Sequence, residues 1–101
     1  MRARLNREYS VTARELSIDT HGLNFLVICG KHINGGYAAI VNFGVTAEIS
    51  TDDGQYNAIK IYEALEKSND SWLQKNENSL RAIASELSEV ITGKLKELAY
   101  E

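Results

Sequence analysis

The chain has 101 residues, 44% of them hydrophobic and 25% charged, with a net charge of −3. That composition supports one domain with one core and excludes a disordered chain. A pI near 5.4 excludes a generally basic nucleic-acid surface, and the lack of proline excludes polyproline recognition and proline kinks. The charge is uneven: residues 1–36 carry five basic against three acidic side chains, residues 37–101 six against eleven. Such asymmetry can orient subunits or steer a partner.

Residues 7–18 alternate, with Tyr9, Val11 and Ala13 on one side and Glu8, Ser10, Thr12 and Arg14 on the other. Period two with a solvated face predicts a one-sided or edge strand. Asp19–Gly22 is turn chemistry. Residues 23–30 are nearly all apolar, which predicts a strand buried on both faces or one central to the sheet. Asn34-Gly35-Gly36 supplies the positive φ angles of a hairpin turn, and residues 37–43 return. Gly44 marks a bulge or bend before a second alternating run at 45–50. Three or four antiparallel strands are expected over residues 1–50.

Residues 51–101 read as helical. Asp52 or Asp53 caps a helix over about 55–67, whose stripe is Ala58, Ile59, Tyr62 and Leu65. Ser71 with Gln74 fits a capping box, with Asp70 as the alternative cap. Leu73, Leu80 and Leu87 then repeat every seven residues, matched by Asn76, Ile83 and Val90. This predicts one long amphipathic helix over roughly 71–99, about 42 Å long, unless a break at 76–79 splits it. A small sheet cannot cover that length. The excess stripe of Leu73, Leu80, Ile83, Leu87 and Val90, with Trp72 as an anchor, predicts a homo-oligomer interface. The fold class is therefore α+β: an antiparallel sheet, a short helix and a long C-terminal helix in a single domain.

No catalytic motif stands out. Cys29, His32 and His21 are the only soft metal ligands, and a structural zinc site lacks its second pair. Cys29 is a lone cysteine in an apolar strand, where it acts as a small hydrophobe. The stretch 30–36 is strand–loop–strand, so it is neither a P-loop nor a dinucleotide fingerprint. As a loop it still offers Lys31, His32, Asn34 and Gly35 to a phosphate or base, with Tyr37 following. Tyr56 and Asn57 open the first helix, where free amides hold anions and a tyrosine stacks on bases. Arg81 joins them as a candidate cation. No apolar run of membrane-spanning length and no signal peptide is seen, so the expected address is the cytoplasm of the producing or infected cell.

Gly30-Lys31-His32-Ile33-Asn34-Gly35-Gly36-Tyr37, Ile40-Val41-Asn42-Phe43-Gly44-Val45 and Asp53-Gly54-Gln55-Tyr56-Asn57 together resemble a short uncharacterised family of α+β proteins. That family is carried by bacterial phages and mobile elements. The resemblance covers about residues 22–65, with Phe43 where the family has tryptophan. It implies an anti-defence accessory protein that acts by binding, without catalysis or cofactor. Two mechanisms follow. One sequesters a nucleotide signal in pockets between subunits, through Lys31, His32, Asn34, Gly35, Tyr37, Tyr56, Asn57 and Arg81. The other docks the acidic face on a defence nuclease. The alternatives are a small regulatory nucleic-acid-binding protein with Arg2, Arg4 and Arg7 as a phosphate arm, or a small enzyme using His32.

Overall fold

The structure is a computed structural model. It describes the backbone of residues 1–10, 13–31, 37–41 and 45–99, and the side chains of these except 6–10, 31, 38–41 and 99. The strands are β1 (Arg2–Ser10), β2 (Ala13–Thr20), β3 (Leu23–Lys31), β4 (Tyr37–Val41) and β5 (Val45–Ile49). Then come helices α1 (Gly54–Glu66) and α2 (Ser71–Lys75), a 3-10 turn (Glu77–Ser79) and helix α3 (Leu80–Ala99). The fold is α+β, an antiparallel meander in the order β1-β2-β3-β4-β5 with the helices on one face.

Five strands form where three or four are expected, because the alternating run at 7–18 is not one strand. It straddles the β1–β2 hairpin, in which Arg2 pairs with Asp19 and Leu5 with Leu16. The alternation is also inverted in β2. Leu16 and Ile18 point to the core, so Arg14 shares their face and is only 6% exposed. A hydrogen bond from its guanidinium to the Ala13 carbonyl meets part of its need for partners. The β2–β3 turn is at His21-Gly22, both with positive φ, as a primed two-residue hairpin turn requires.

β3 lies in the middle of the sheet, as its apolar run predicts, but only one face is covered. Phe25, Val27 and Cys29 are buried under the helices, whereas Leu26 on the opposite face is 40% exposed. The reason is architectural: α3 packs on β2 and β3, α1 packs on β5, and no second helical layer exists among the described residues. β3 and β4 pair from Val27–Val41 to Lys31–Tyr37. The turn between them, with His32, Asn34 and Gly35, lies outside the described residues, as does Gly44.

The long C-terminal helix is broken. Asp70 caps α2 through its carboxylate on the Leu73 amide. Asn76 leaves helical geometry at φ −117 and ψ 33, and its side-chain amide donates to the Trp72 carbonyl. α3 restarts at Leu80 and spans about 30 Å over its 20 residues. The break lets Leu73 and Leu80 enter one core from two directions. Leu73, Leu80, Ile83 and Leu87 are all buried within the single chain, and Trp72 and Val90 pack half-buried against the same cluster. The first four are thus core residues, not anchors for a second copy. They are covered by the chain's own β2, β3 and α1 instead of standing clear of a small sheet.

Because Leu87 belongs to the core, Leu87→Ala should destabilise the protein by about 2–5 kcal/mol. Urea unfolding should show the same loss at every protein concentration. An interface leucine would give a loss that shrinks with dilution.

Candidate functional site

Helix α1 decides which side chains reach solvent. Asp53 caps it, accepting from the Tyr56 amide at 3.0 Å. One turn later Asn57 is fully buried. Its Oδ1 accepts from the Ser50 amide at 2.7 Å, while its Nδ2 donates to the Ser50 carbonyl at 2.8 Å and to Thr92 Oγ1 at 2.9 Å. Ser88 on α3 adds a bond to the Gly54 carbonyl at 2.7 Å. This polar clamp joins the exit of β5, the start of α1 and the middle of α3. Asn57 is therefore not a ligand residue; all its bonding capacity but one lone pair is spent inside the fold.

With Asn57 inside, Ile61 and Leu65 follow it at helical spacing. The predicted stripe is rotated accordingly. Ile59, expected inside, is 56% exposed, and Tyr56 is 43% exposed. Tyr62 is half-buried beside them. Its hydroxyl donates to Glu66 at 2.9 Å, and the Arg81 guanidinium lies 4.5 Å from its ring centre. Bonding to the Glu66 carboxylate holds the Tyr62 phenol above its usual pKa, since ionisation would put two anions together.

These residues line a groove of about 440 Å³ between α1 and the start of α3, through Ala58, Ile59, Tyr62, Glu63, Glu66 and Arg81. A second depression of about 280 Å³ shares Tyr62, Glu66 and Arg81 and adds Glu77 and Asn78. The groove has an aliphatic and aromatic floor and two carboxylates against one guanidinium, and the adjoining depression adds Glu77. That guanidinium is occupied by Tyr62. The arrangement suits a segment that brings an apolar anchor and positive charge.

The expected ligand set does not converge here. Tyr56 faces the other flank of α1, beside Lys60, whose ammonium lies 5.4 Å from its ring. Tyr37 packs half-buried against the core. The Lys31 side chain, His32, Asn34 and Gly35 lie outside the described residues. Only Arg81 lines the groove. The residues missed are Ile59, Tyr62, Glu63, Glu66 and Glu77. Treating Asn57 as a helix-face residue at the spacing of Ile61 and Leu65 would have turned Ile59 outward.

A second polar cluster lies where the first half of α3 meets the β2–β3 turn. The Thr20 hydroxyl donates to Glu86, and its oxygen is 2.9 Å from His21 Nδ1. Glu86 is 3.5 Å from that same nitrogen. A hydrolytic triad sets acid and nucleophile on opposite nitrogens of the ring; here both meet one. The cluster ties the β2–β3 turn to α3. Among the described residues no group of three His, Cys, Asp or Glu side chains is placed to hold a metal ion. No helix of the described residues is long and apolar enough to cross a membrane.

Residues 3–87 match the model of DUF6618, a family of unknown function. The chain belongs to that family, and the match takes in the sheet, α1, α2 and the start of α3. No curated protein and no solved structure matches the chain.

Asn57→Ala should cost about 2–4 kcal/mol in urea unfolding, because it strands the Ser50 amide and carbonyl in a buried site. Cys29 gives an independent check on the core. Burial pushes its thiol from 9.0 up to about 11. The stability it supports is complete below the lower value and is lost as pH rises from one to the other. Near neutral pH the native protein should leave Cys29 unlabelled by a thiol reagent, and unfolding should expose it.

Proposed function

We propose that this is a non-catalytic binding protein, acting in the bacterial cytoplasm, that docks a basic, apolar segment of a partner protein in the groove between α1 and α3. One observation carries the reading: Ile59 stands exposed between Tyr56 and the Tyr62–Arg81 stack on a helix whose opposite face is fully used by the core. Tyrosine and arginine beside an aliphatic anchor are the residue types that dominate binding energy at interfaces. The carboxylates of Glu63, Glu66 and Glu77 supply charge complementarity to a lysine- or arginine-bearing segment.

The resemblance to phage and mobile-element proteins points to the class of partner, a host defence nuclease whose nucleic-acid channel is basic. The acidic flank would compete there for the charge that nucleic acid normally satisfies. This mechanism has more support than nucleotide sequestration. The tyrosines and Arg81 of that second mechanism lie apart, Asn57 is internal, and the leucines meant to build its inter-subunit pocket are in the core.

The test is capture of a partner from host lysate, followed by titration of its binding segment. Ile59→Asp should weaken binding by roughly thirtyfold, the scale of a 2 kcal/mol hot spot, with unchanged thermal unfolding. Glu89→Ala, exposed elsewhere on α3, should bind like the native chain. Equal binding by the Ile59→Asp protein, or a partner segment without basic residues, would refute the reading.

A further inference from the structure

The two edges of the sheet are unlike, and they complement one another. At the β1 edge the helical layer stops short. Leu5 lies on the helix side, opposite buried Leu16, yet is 48% exposed. Arg2 and Arg4 lie on the opposite face, paired with Asp19 and Ser17, and are also exposed. At the β5 edge the layer overhangs. α1 and β5 flank an open cleft of about 230 Å³ lined by Thr46, Ala47 and Glu48 on one side and Tyr56, Lys60, Glu63, Ala64 and Lys67 on the other. Thr46 and Glu48 point away from the helices and are exposed. One edge thus presents an uncovered leucine with arginines behind it; the other presents an open cleft rimmed by Lys60, Glu63 and Lys67 with Glu48 on the opposite face.

We infer that β1 of one copy adds to β5 of a second copy, seating Leu5 in the α1–β5 cleft and laying Arg4 on the same face as Glu48. An edge strand offers a row of unpaired amides and carbonyls, so backbone bonding supplies the join. Alternation fixes the geometry. To present Leu5 to the helix side and Arg4 to the other, the added strand must run parallel to β5. The contact is then head-to-tail, and it propagates as a ring or an open chain. The symmetric alternative, β1 against β1 with both helical layers on one side, is antiparallel. Every register of its regular part that keeps faces matched sets an arginine at 2 or 4 against another, which is unfavourable. This assembly uses the flank of α1 away from Tyr62; Glu63 borders both sites, and the join of β1 to β5 does not depend on the function proposed for the groove.

Sedimentation velocity and native mass spectrometry of the full chain, up to about 1 mM, provide the test, since even a millimolar contact is half formed there. The native chain should form reversible, concentration-dependent species beyond one copy. Leu5→Asp should weaken assembly by roughly tenfold to a hundredfold, the effect of losing one buried leucine. Arg4→Glu and Glu48→Arg should each weaken it by several-fold, and the double exchange should restore it. The head-to-tail sense has its own signature. Leu5→Asp and Glu48→Arg chains, each with one sound edge, should form a one-to-one pair when mixed and stop there. If Leu5→Asp alters thermal unfolding, Leu5→Asn, which also removes the apolar anchor and leaves Arg4 in place, takes its place in the mixture. A single-copy particle at every concentration, assembly indifferent to both charge reversals, or a mixture without the one-to-one pair would overturn the inference.

Discussion

Asn57 holds the two halves of the molecule in register. It is a side-chain amide in a fully buried site, and it satisfies both backbone groups of Ser50 while reaching Thr92 on α3. A buried amide that ties its own helix to two other segments tolerates little rotation, because any turn of α1 would strand polar groups away from water. The consequence runs outward. Once position 57 is inside, 61 and 65 are inside, and Tyr56, Ile59 and Tyr62 are left facing solvent or the groove. The exposed face of α1 follows from a hydrogen-bond constraint in the interior, not from the apolarity of the residues exposed.

That constraint explains where sequence reasoning stops. The β2–β3 turn and the order of strands before helices are local, and local chemistry predicts them; it also narrows the caps to Asp52 or Asp53 and to Ser71 or Asp70, and leaves the break at 76–79 as the alternative to one long helix. The facing of α1 is not local. Ile59 counts as a core residue on any hydropathy scale and Asn57 as a surface one, so a stripe drawn through Ala58, Ile59, Tyr62 and Leu65 is natural; it is right for Leu65, half right for Tyr62 and wrong for Ile59. Only Ser50 and Thr92, seven and thirty-five residues away, turn the helix the other way. Arg14 fails for a related reason: β2 is read with the phase of β1, although a hairpin separates them.

The leucine repeat shows how a correct pattern supports an incorrect conclusion. Leu73, Leu80 and Leu87 do recur every seven residues, and they do share one environment. A single helix of that length would outrun its sheet and need a second copy. Two helices joined at Asn76 do not, since the bend brings Leu73 back over the core that Leu80 and Leu87 already share. One asparagine in a non-helical conformation thus separates an interface from a core.

The charge asymmetry also gains a spatial meaning. β1, with Arg2, Arg4 and Arg7, is one edge of the sheet; β5, with Glu48 and the carboxylates of α1, is the other. Four strand spacings, about 19 Å, separate them, a distance over which interior screening is weak but solvent screening is strong. The arginines that disfavour pairing of β1 with itself also favour an edge that carries Glu48 on the matching face. Protection against one association and preference for another are then the same side chains acting on different neighbours. The Tyr62 groove lies on the far flank of α1 from that join, so an assembled chain would present the groove once per copy. A repeated acidic groove binds a repetitive basic surface more tightly than any single groove does, because each later contact forms at the effective concentration set by the first.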